Sequence, residues 1–174
     1  LFLFPAGYLV VRTLSLGADF SSILLSEAAL RPLANSLLIA TTTALLAGIL
    51  GTTLAVLVAR TDLPGRSVWR WALALPLVIP SFVGATAVLA AFGDGALVEF
   101  VPRLQGFWGA LAVLTLLTYP YVYLPVQARL SSTAPSIEDA ARLLGDSSWR
   151  AVRNIVLPQI RSSILAGSLL VFLY

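Results

Sequence analysis

Three long stretches of the chain contain no charged residue, and they constrain the fold more than any other feature. They cover residues 32–59, 71–93 and 104–128. Each is longer than the about 20 residues that an α-helix needs to cross a bilayer. A helix satisfies its own backbone hydrogen bonds in lipid, and the alternation typical of a membrane β-barrel is absent. The sequence therefore predicts an all-α membrane protein, a polytopic helical bundle.

The composition agrees with this fold class, since 59% of the residues are hydrophobic and only 11% are charged. Soluble domains are about 25% charged. Residues 1–11 and 162–174 are also apolar but shorter than a complete span. We therefore expect the sequence to be a piece of a longer protein, truncated at both ends and with about five helices.

The residue types that most often carry chemistry are missing. The chain has no His and no Cys, so it lacks the commonest general base and any thiolate metal ligand. The three uncharged stretches also lack the ionisable groups that ion-coupled carriers usually need. We predict no catalytic residue and no metal site, and a secondary carrier is disfavoured. A membrane scaffold remains a further alternative.

The arginines predict the orientation in the membrane. The connections 60–70 and 129–161 hold three and five arginines, whereas 13–31 and 94–103 hold one each. Positive charge favours the cytoplasmic side, so 60–70 and 129–161 are predicted to be cytoplasmic. The net charge of +3 comes from arginines that flank spans. We expect no nucleic-acid partner.

Prolines interrupt two of the predicted spans, and small residues line the other. Each proline removes a backbone hydrogen bond and kinks its helix, which favours either simple packing or a hinge or cavity along a pathway. Gly48 and Gly51 in 32–59 favour close helix packing, with pathway lining as the alternative. The four prolines are Pro76, Pro80, Pro120 and Pro125.

A polar segment, residues 136–158, lies on the predicted cytoplasmic side and reads SIEDAARLLGDSSWRAVRNIVLP. Ser136 and Asp139 are typical of a helix start, and Gly145 is typical of a turn. Asp146 or Ser147 then caps a second short helix, which we expect to end at Leu157 and Pro158. The two helices either lie on the membrane surface or dock a partner.

The spacing in this segment resembles a known motif. Asp139-Ala140-Ala141, three residues, Gly145, nine residues, Ile155, one residue and Leu157-Pro158 resemble the E-A-A-x3-G-x9-I-x-L-P loop. That loop marks the permeases of binding-protein-dependent ABC importers. Asp139 stands where Glu is usual, and Glu138 is the alternative acid. The resemblance implies a type I, MetI-like fold and an ATPase-coupling loop. Its residues here are Glu138, Asp139, Ala140, Ala141, Gly145, Ile155, Leu157 and Pro158.

Further stretches are similar to one branch of this family. Asn35-Ser36-Leu37 resembles the start of the permease domain, and residues 60–66 and 75–85 are similar to ferric-iron permeases. This likeness implies ferric iron as cargo. Permeases for thiamine, phosphonate, polyamine, sulfate or molybdate share the fold and the loop and stay open as alternatives.

The resemblance also implies the surroundings of the chain. Residues 1–29 form a first helix and a periplasmic connection, and residues 30–174 form the permease domain. The expected partners are an ABC ATPase dimer, a periplasmic substrate-binding protein, a second permease unit and the lipid bilayer of a bacterial inner membrane. The chain has no G-x4-G-K-S/T loop, so we expect no enzyme and no cofactor of its own. ATP and Mg²⁺ belong to the partner ATPase.

Overall fold

A computed structural model describes residues 4, 7–8, 11–12, 22, 25–92, 106–133, 143, 145 and 147–174. Every regular element within these residues is helical, so the predicted all-α class is confirmed. The elements are α1 (Glu27–Arg60), α2 (Arg66–Ala72), a 3₁₀ turn (Leu75–Val78), α3 (Ser81–Phe92), α4 (Gly106–Thr118), α5 (Pro120–Ser132), α6 (Ser148–Ala151), a π turn (Val152–Val156) and α7 (Leu157–Leu173).

Two compact units divide the chain, residues 1–38 and residues 39–174. In the first unit, α1 opens with an exposed i,i+4 ion pair in which Arg31 Nη2 lies 3.0 Å from Glu27 Oε2. Such a pair contributes a few tenths of a kcal/mol, about 0.3–0.5. The second unit contains the core and everything described below.

Within the part of the chain that the structure describes, three helical segments are long and apolar enough to cross a membrane. They are Glu27–Arg60, Gly106–Ser132 and Trp149–Leu173. The first contains the predicted span 32–59, and the second contains residues 106–128 of the predicted span 104–128. Pro120 lies at the start of α5, where its missing N–H costs little, so α4 and α5 together form one span.

The span predicted over 71–93, with kinks at its two prolines, is broken rather than kinked in the described residues 71–92. The chain is bent by 97° between Arg66–Val78 and Ser81–Phe92. Pro76 lies in the 3₁₀ turn, and Pro80 directly precedes α3. A proline disfavours helical backbone in the residue before it, and Ile79 is extended with φ −83° and ψ 119°. Two prolines four residues apart therefore break the helix rather than kink it.

The helix end predicted at Leu157 and Pro158 is also wrong. Pro158 lies in the first turn of α7, and the helical path continues from Ser148 to Leu173. A proline ring inside a regular α-helix clashes with the carbonyl four residues earlier. The π turn at Val152–Val156 lies directly before this proline and widens the helix there. The helix therefore passes the proline without ending.

The core lies where α5 packs between α1 and α7. Most large apolar side chains point away from it, as expected where lipid tails replace water. The buried apolar cluster consists of Ala44, Ala47, Ala55, Tyr119, Val122, Tyr123, Val126, Leu130, Val156, Ile160 and Val171.

Candidate coupling segment and its connection to the membrane core

The turn of the predicted coupling loop is shaped for glycine. Gly145 has a φ of +97°, in the left-handed region that other residues rarely adopt. A β-carbon added there would have open space, with nothing within 4 Å. The turn is therefore exposed and glycine-dependent through its backbone alone. Glu138, Asp139, Ala140 and Ala141 lie outside the described residues.

The second helix of the loop begins at a serine cap. The N–H of Arg150 donates to Ser147 Oγ at 3.3 Å, and the N–H of Ala151 donates to the Ser147 carbonyl at 3.0 Å. This is the N-cap arrangement, in which a side-chain oxygen satisfies a free donor of the first turn. Ser147 is one of the two caps that the sequence predicted.

The π turn sets which side of this helix is buried. Ala151 and Val156 are buried although they lie five residues apart, whereas Ile155 is only half-buried. One extra residue in the turn moves the buried side by one position. Trp149, on the short helix before the turn, does not share this buried side and is 73% exposed. The π turn was not predicted, because nothing in the residue types marks it.

The motif residues at the end of the loop lie on α7 or next to it. Leu157 and Pro158 are exposed, while Val156 and Ile160 are buried in the core. Ile155 lies in the π turn. The loop motif therefore ends on a helix that is itself part of the core, with no hinge between them in the described residues 147–174.

Glycines bring α7 and α5 into backbone contact. A β-carbon added at Gly167 would lie 2.7 Å from the Tyr121 carbonyl oxygen and 2.7 Å from Val122 Cα. Real β-carbons essentially never approach other atoms so closely. Position 167 therefore requires glycine for space, a role that the sequence analysis missed. The small residues around Gly167 in Ala166-Gly167-Ser168 were the available signal.

The same stretch of α5 meets α1 through a second glycine. A β-carbon at Gly51 would lie 2.8 Å from the Tyr119 carbonyl oxygen and 2.9 Å from the Tyr123 nitrogen. One at Gly48 would lie 2.9 Å from Ser168 Oγ on α7. We call Gly48, Gly51 and Gly167 the glycine seam. It joins three helices at one level, with the close packing that the sequence predicted for Gly48 and Gly51.

Two hydrogen bonds involve the connection 60–70, one at the residue that follows α5 and one in the first turn of α5. Arg60 Nη2 donates to the Thr133 carbonyl at 3.3 Å. The Tyr123 hydroxyl donates to the Arg70 carbonyl at 3.1 Å. The start of the connection 60–70 and the start of 129–161 therefore lie at the same end of the second unit, as the arginine pattern predicted, and Arg70 lies beside the first turn of α5.

One buried amide was not anticipated. Gln127 in α5 is 5% exposed, and neither amide atom has a hydrogen-bond partner. A buried unpaired polar group costs about 1–3 kcal/mol. The signal was an amide in an otherwise apolar stretch. Among the described residues, no group of His, Cys, Asp or Glu side chains is placed to hold a metal ion.

The remaining predicted residues are prolines. Pro76 and Pro80 lie at the 97° break, and Pro120 is buried at the start of α5. Pro125 is half-buried inside α5. A role of these prolines along a transport pathway stays a prediction.

A bundle of spanning helices whose polar segment continues into the core defines a polytopic helical membrane protein of the permease kind. Residues 49–174 match the family described as binding-protein-dependent transport system inner membrane component. The chain belongs to this family. The predicted family and its type I importer permease fold are thereby confirmed.

Relatives of known name agree with this assignment. The chain is 31% identical to a probable molybdenum ABC transporter permease of Haloferax volcanii, over 98% of this chain and 64% of that protein. It is 32% identical to a molybdate/tungstate transport system permease of Thermococcus kodakarensis, over 78% and 52%. It is 33% identical to an Fe(3+)-transport system permease of Haemophilus influenzae, over 92% and 31%. The chain thus spans from 31% to 64% of the lengths of these relatives.

Proposed function

We propose that this chain is the transmembrane permease subunit of an ATP-driven importer in a bacterial inner membrane. A binding protein delivers the solute on the arginine-poor side, and a dimer of ATPases docks at residues 136–158. A second permease unit, in the same chain or a partner, completes the pathway. The chain itself is not catalytic, and ATP and Mg²⁺ belong to the ATPase.

The observation that carries this proposal is the continuous helix from the docking segment into the core. It begins at the Ser147 cap, passes Pro158 and reaches Gly167, where it touches the backbone of α5. The π turn between Ala151 and Leu157 keeps the helix unbroken. Docking segment and core therefore belong to one mechanical element.

This continuity supports a mechanism for coupling. When the ATPase dimer closes on ATP, it displaces the docked segment and the amino end of α7 with it. Contact at Gly167 is between backbones, so no side-chain rotation takes up the displacement before α5 moves. The glycine seam passes the shift on to α1. Access to the pathway changes as the three helices move together.

Ferric iron is the cargo that we propose first, on the likeness of residues 60–66 and 75–85 and on the Fe(3+)-transport relative. An oxyanion is the second candidate, since other relatives are named for molybdate/tungstate and sulfate. Uptake by vesicles that carry the complete importer separates the two candidates. Uptake of labelled ferric iron is measured with excess unlabelled molybdate, and uptake of labelled molybdate with excess unlabelled ferric iron. Uptake without ATP would favour the secondary carrier.

The coupling role is tested at Gly145. In the full-length protein expressed with its ATPase, we expect Gly145→Asp to abolish solute-stimulated ATP hydrolysis and uptake. A side chain at this left-handed backbone position costs about 1–2 kcal/mol in strain. Aspartate also places a negative charge at the docking surface. Gly145→Asn separates the two causes, because asparagine resembles aspartate in shape and in its tolerance of this conformation but carries no charge. We expect Gly145→Asn to retain most of the coupling.

A matched control is available at the start of α4. Gly106 also has a positive φ, +59°, and open space around an added β-carbon. We expect Gly106→Asp to leave coupling and ATPase co-purification unchanged. Normal coupling in Gly145→Asp, or equal loss in Gly106→Asp, would show that residues 136–158 are not the ATPase dock.

A further inference from the structure

Helix α2 carries large apolar side chains but buries none of its residues. Val68 is 70% exposed and Trp71 is 75% exposed, and Trp69 is half exposed. No residue of Arg66–Ala72 is buried. Tryptophan prefers the boundary between headgroups and acyl chains, where its ring is in apolar surroundings and its N–H in polar ones. The residues of α2 are therefore those of a helix that lies at the membrane surface.

The geometry also points to the membrane surface. The segment Arg66–Val78 is bent by 97° from α3. Gly84 of α3 packs against Leu117 of the span formed by α4 and α5. α3 thus lies beside a span, and the bend turns α2 away from α3. The Tyr123 hydroxyl of that span donates to the Arg70 carbonyl at 3.1 Å, so α2 is held beside the span.

The charges of α2 are not neutralised by the protein. Arg66 and Arg70 are exposed, and in the parts of the chain that the structure describes neither forms an ion pair. The connection 60–70 contains one acidic residue, Asp62, and three basic residues, Arg60, Arg66 and Arg70. Cations next to surface tryptophans complement the phosphates of an anionic leaflet, which attracts basic groups near its surface.

We propose that α2 is a docking surface for anionic phospholipid headgroups. Arg66 and Arg70 pair with lipid phosphates, while Val68, Trp69 and Trp71 enter the boundary between headgroups and acyl chains. Charge complementarity selects this occupant over zwitterionic lipid. The inference rests on the membrane location of the chain and does not depend on the importer function or its cargo.

The test measures lipid contact at one tryptophan. The full-length protein is reconstituted in nanodiscs with Trp71 as its single tryptophan, through Trp69→Phe, Trp108→Phe and Trp149→Phe and the replacement by Phe of any tryptophan outside residues 1–174. Brominated phosphatidylglycerol or brominated phosphatidylcholine, at equal mole fraction in unlabelled phosphatidylcholine, then quenches tryptophans that it touches. We expect phosphatidylglycerol to quench Trp71 several-fold more strongly. The matched control retains only Trp108, which is also exposed, and we expect equal quenching by both lipids.

Charge variants identify the source of the preference. Each arginine near the membrane surface enriches anionic lipid around it about fivefold. The double variant R66Q with R70Q should therefore remove most of the excess quenching of Trp71 by phosphatidylglycerol. R66K with R70K retains the charge and should preserve it. Added salt should weaken it, because these groups are exposed. D62N should leave the excess quenching by phosphatidylglycerol unchanged or raise it.

The outcomes separate the possible occupants. Equal quenching of Trp71 by the two brominated lipids would overturn the anionic preference. Quenching by neither lipid would mean that α2 faces water or a protein, such as the ATPase or a second permease unit, and would also overturn the proposal. An excess that survives R66Q with R70Q would assign lipid selection to other residues and contradict the role of α2.

Discussion

The glycine seam and α2 are held in place in different ways. At the seam, backbones approach so closely that β-carbons at Gly51 and Gly167 would lie 2.7–2.9 Å from backbone atoms of α5. Helix α2 has no buried residue and is joined to α5 by the Tyr123–Arg70 hydrogen bond. In lipid, apolar composition does not hold helices together, because the solvent is equally apolar. Close fit decides which helices move as one.

The largest effect is expected from the substitution that breaks the seam at its tightest point. Gly167→Ala places a methyl group 2.7 Å from two backbone atoms of α5, and backbone cannot rotate away. We expect a loss of about 2–3 kcal/mol, since overpacking outweighs the about 1 kcal/mol that alanine gains over glycine in a helix. Thermal unfolding of the full-length protein in detergent measures the loss.

Gly84→Ala is the matched control outside the seam. Its added methyl group meets the end of the Leu117 side chain, which can change rotamer. We expect a neutral effect or a gain of up to about 1 kcal/mol, from helix propensity. Equal destabilisation by both substitutions would mean that the seam is packed no more rigidly than α3 against α4.

The sequence was sufficient to predict close packing at Gly48 and Gly51 of the seam, but not the backbone contact at Gly167. Uncharged stretches predicted α1 and the span of α4 and α5, since the cost of burying charge in lipid applies to every residue of a span. Small residues at Gly48 and Gly51 predicted close packing. Gly167 was missed because its importance depends on which side of α7 faces α5, and the π turn shifts that side by one residue.

The errors at the prolines have a common cause. A proline has two local outcomes, a broken helix or an accommodated one, and the choice depends on neighbouring backbone that residue types do not specify. Pro76 and Pro80 end one helix and start another, whereas the π turn accommodates Pro158. The predicted coupling loop fared better at Gly145 and Ser147, because turns and caps are set by single residues.

A smaller effect should follow from loosening the seam between α1 and α7. Gly48→Ala meets Ser168 Oγ at 2.9 Å, the end of a short side chain rather than backbone. We expect a cost of about 1 kcal/mol. In the Ser168→Gly background, which lacks the opposing atom, Gly48→Ala should carry no such cost. A double-mutant cycle in thermal unfolding measures this coupling.

Gly51→Ala is the control for that cycle. Its methyl group would meet the Tyr119 carbonyl oxygen and the Tyr123 nitrogen, so Ser168→Gly should not rescue it. Rescue of both alanine variants would show that Ser168→Gly acts on stability in general rather than through contact with position 48.

The smallest effect on overall stability is expected where α2 is tied to α5. Tyr123→Phe removes the hydroxyl that donates to the Arg70 carbonyl at 3.1 Å and leaves the buried ring in place. A hydrogen bond of this kind contributes about 0.5–1.5 kcal/mol. Since α2 has no buried side chain to resist opening, we expect the loss to appear locally. Hydrogen exchange at the amides of Val68, Trp69 and Leu73 should be faster, by about tenfold for 1.4 kcal/mol.

Tyr121→Phe serves as the control, because the Tyr121 ring lies near Tyr174, with centroids 5.9 Å apart, rather than at α2. We expect Tyr121→Phe to leave hydrogen exchange in α2 unchanged. We expect Tyr121→Phe and Tyr123→Phe each to change the unfolding midpoint only slightly. If Tyr123→Phe instead lowered stability as much as Gly167→Ala, then α2 would be part of the rigid core. The contrast between a seam that transmits motion and a surface helix that adapts to lipid would then fail, because both regions would unfold as one cooperative unit.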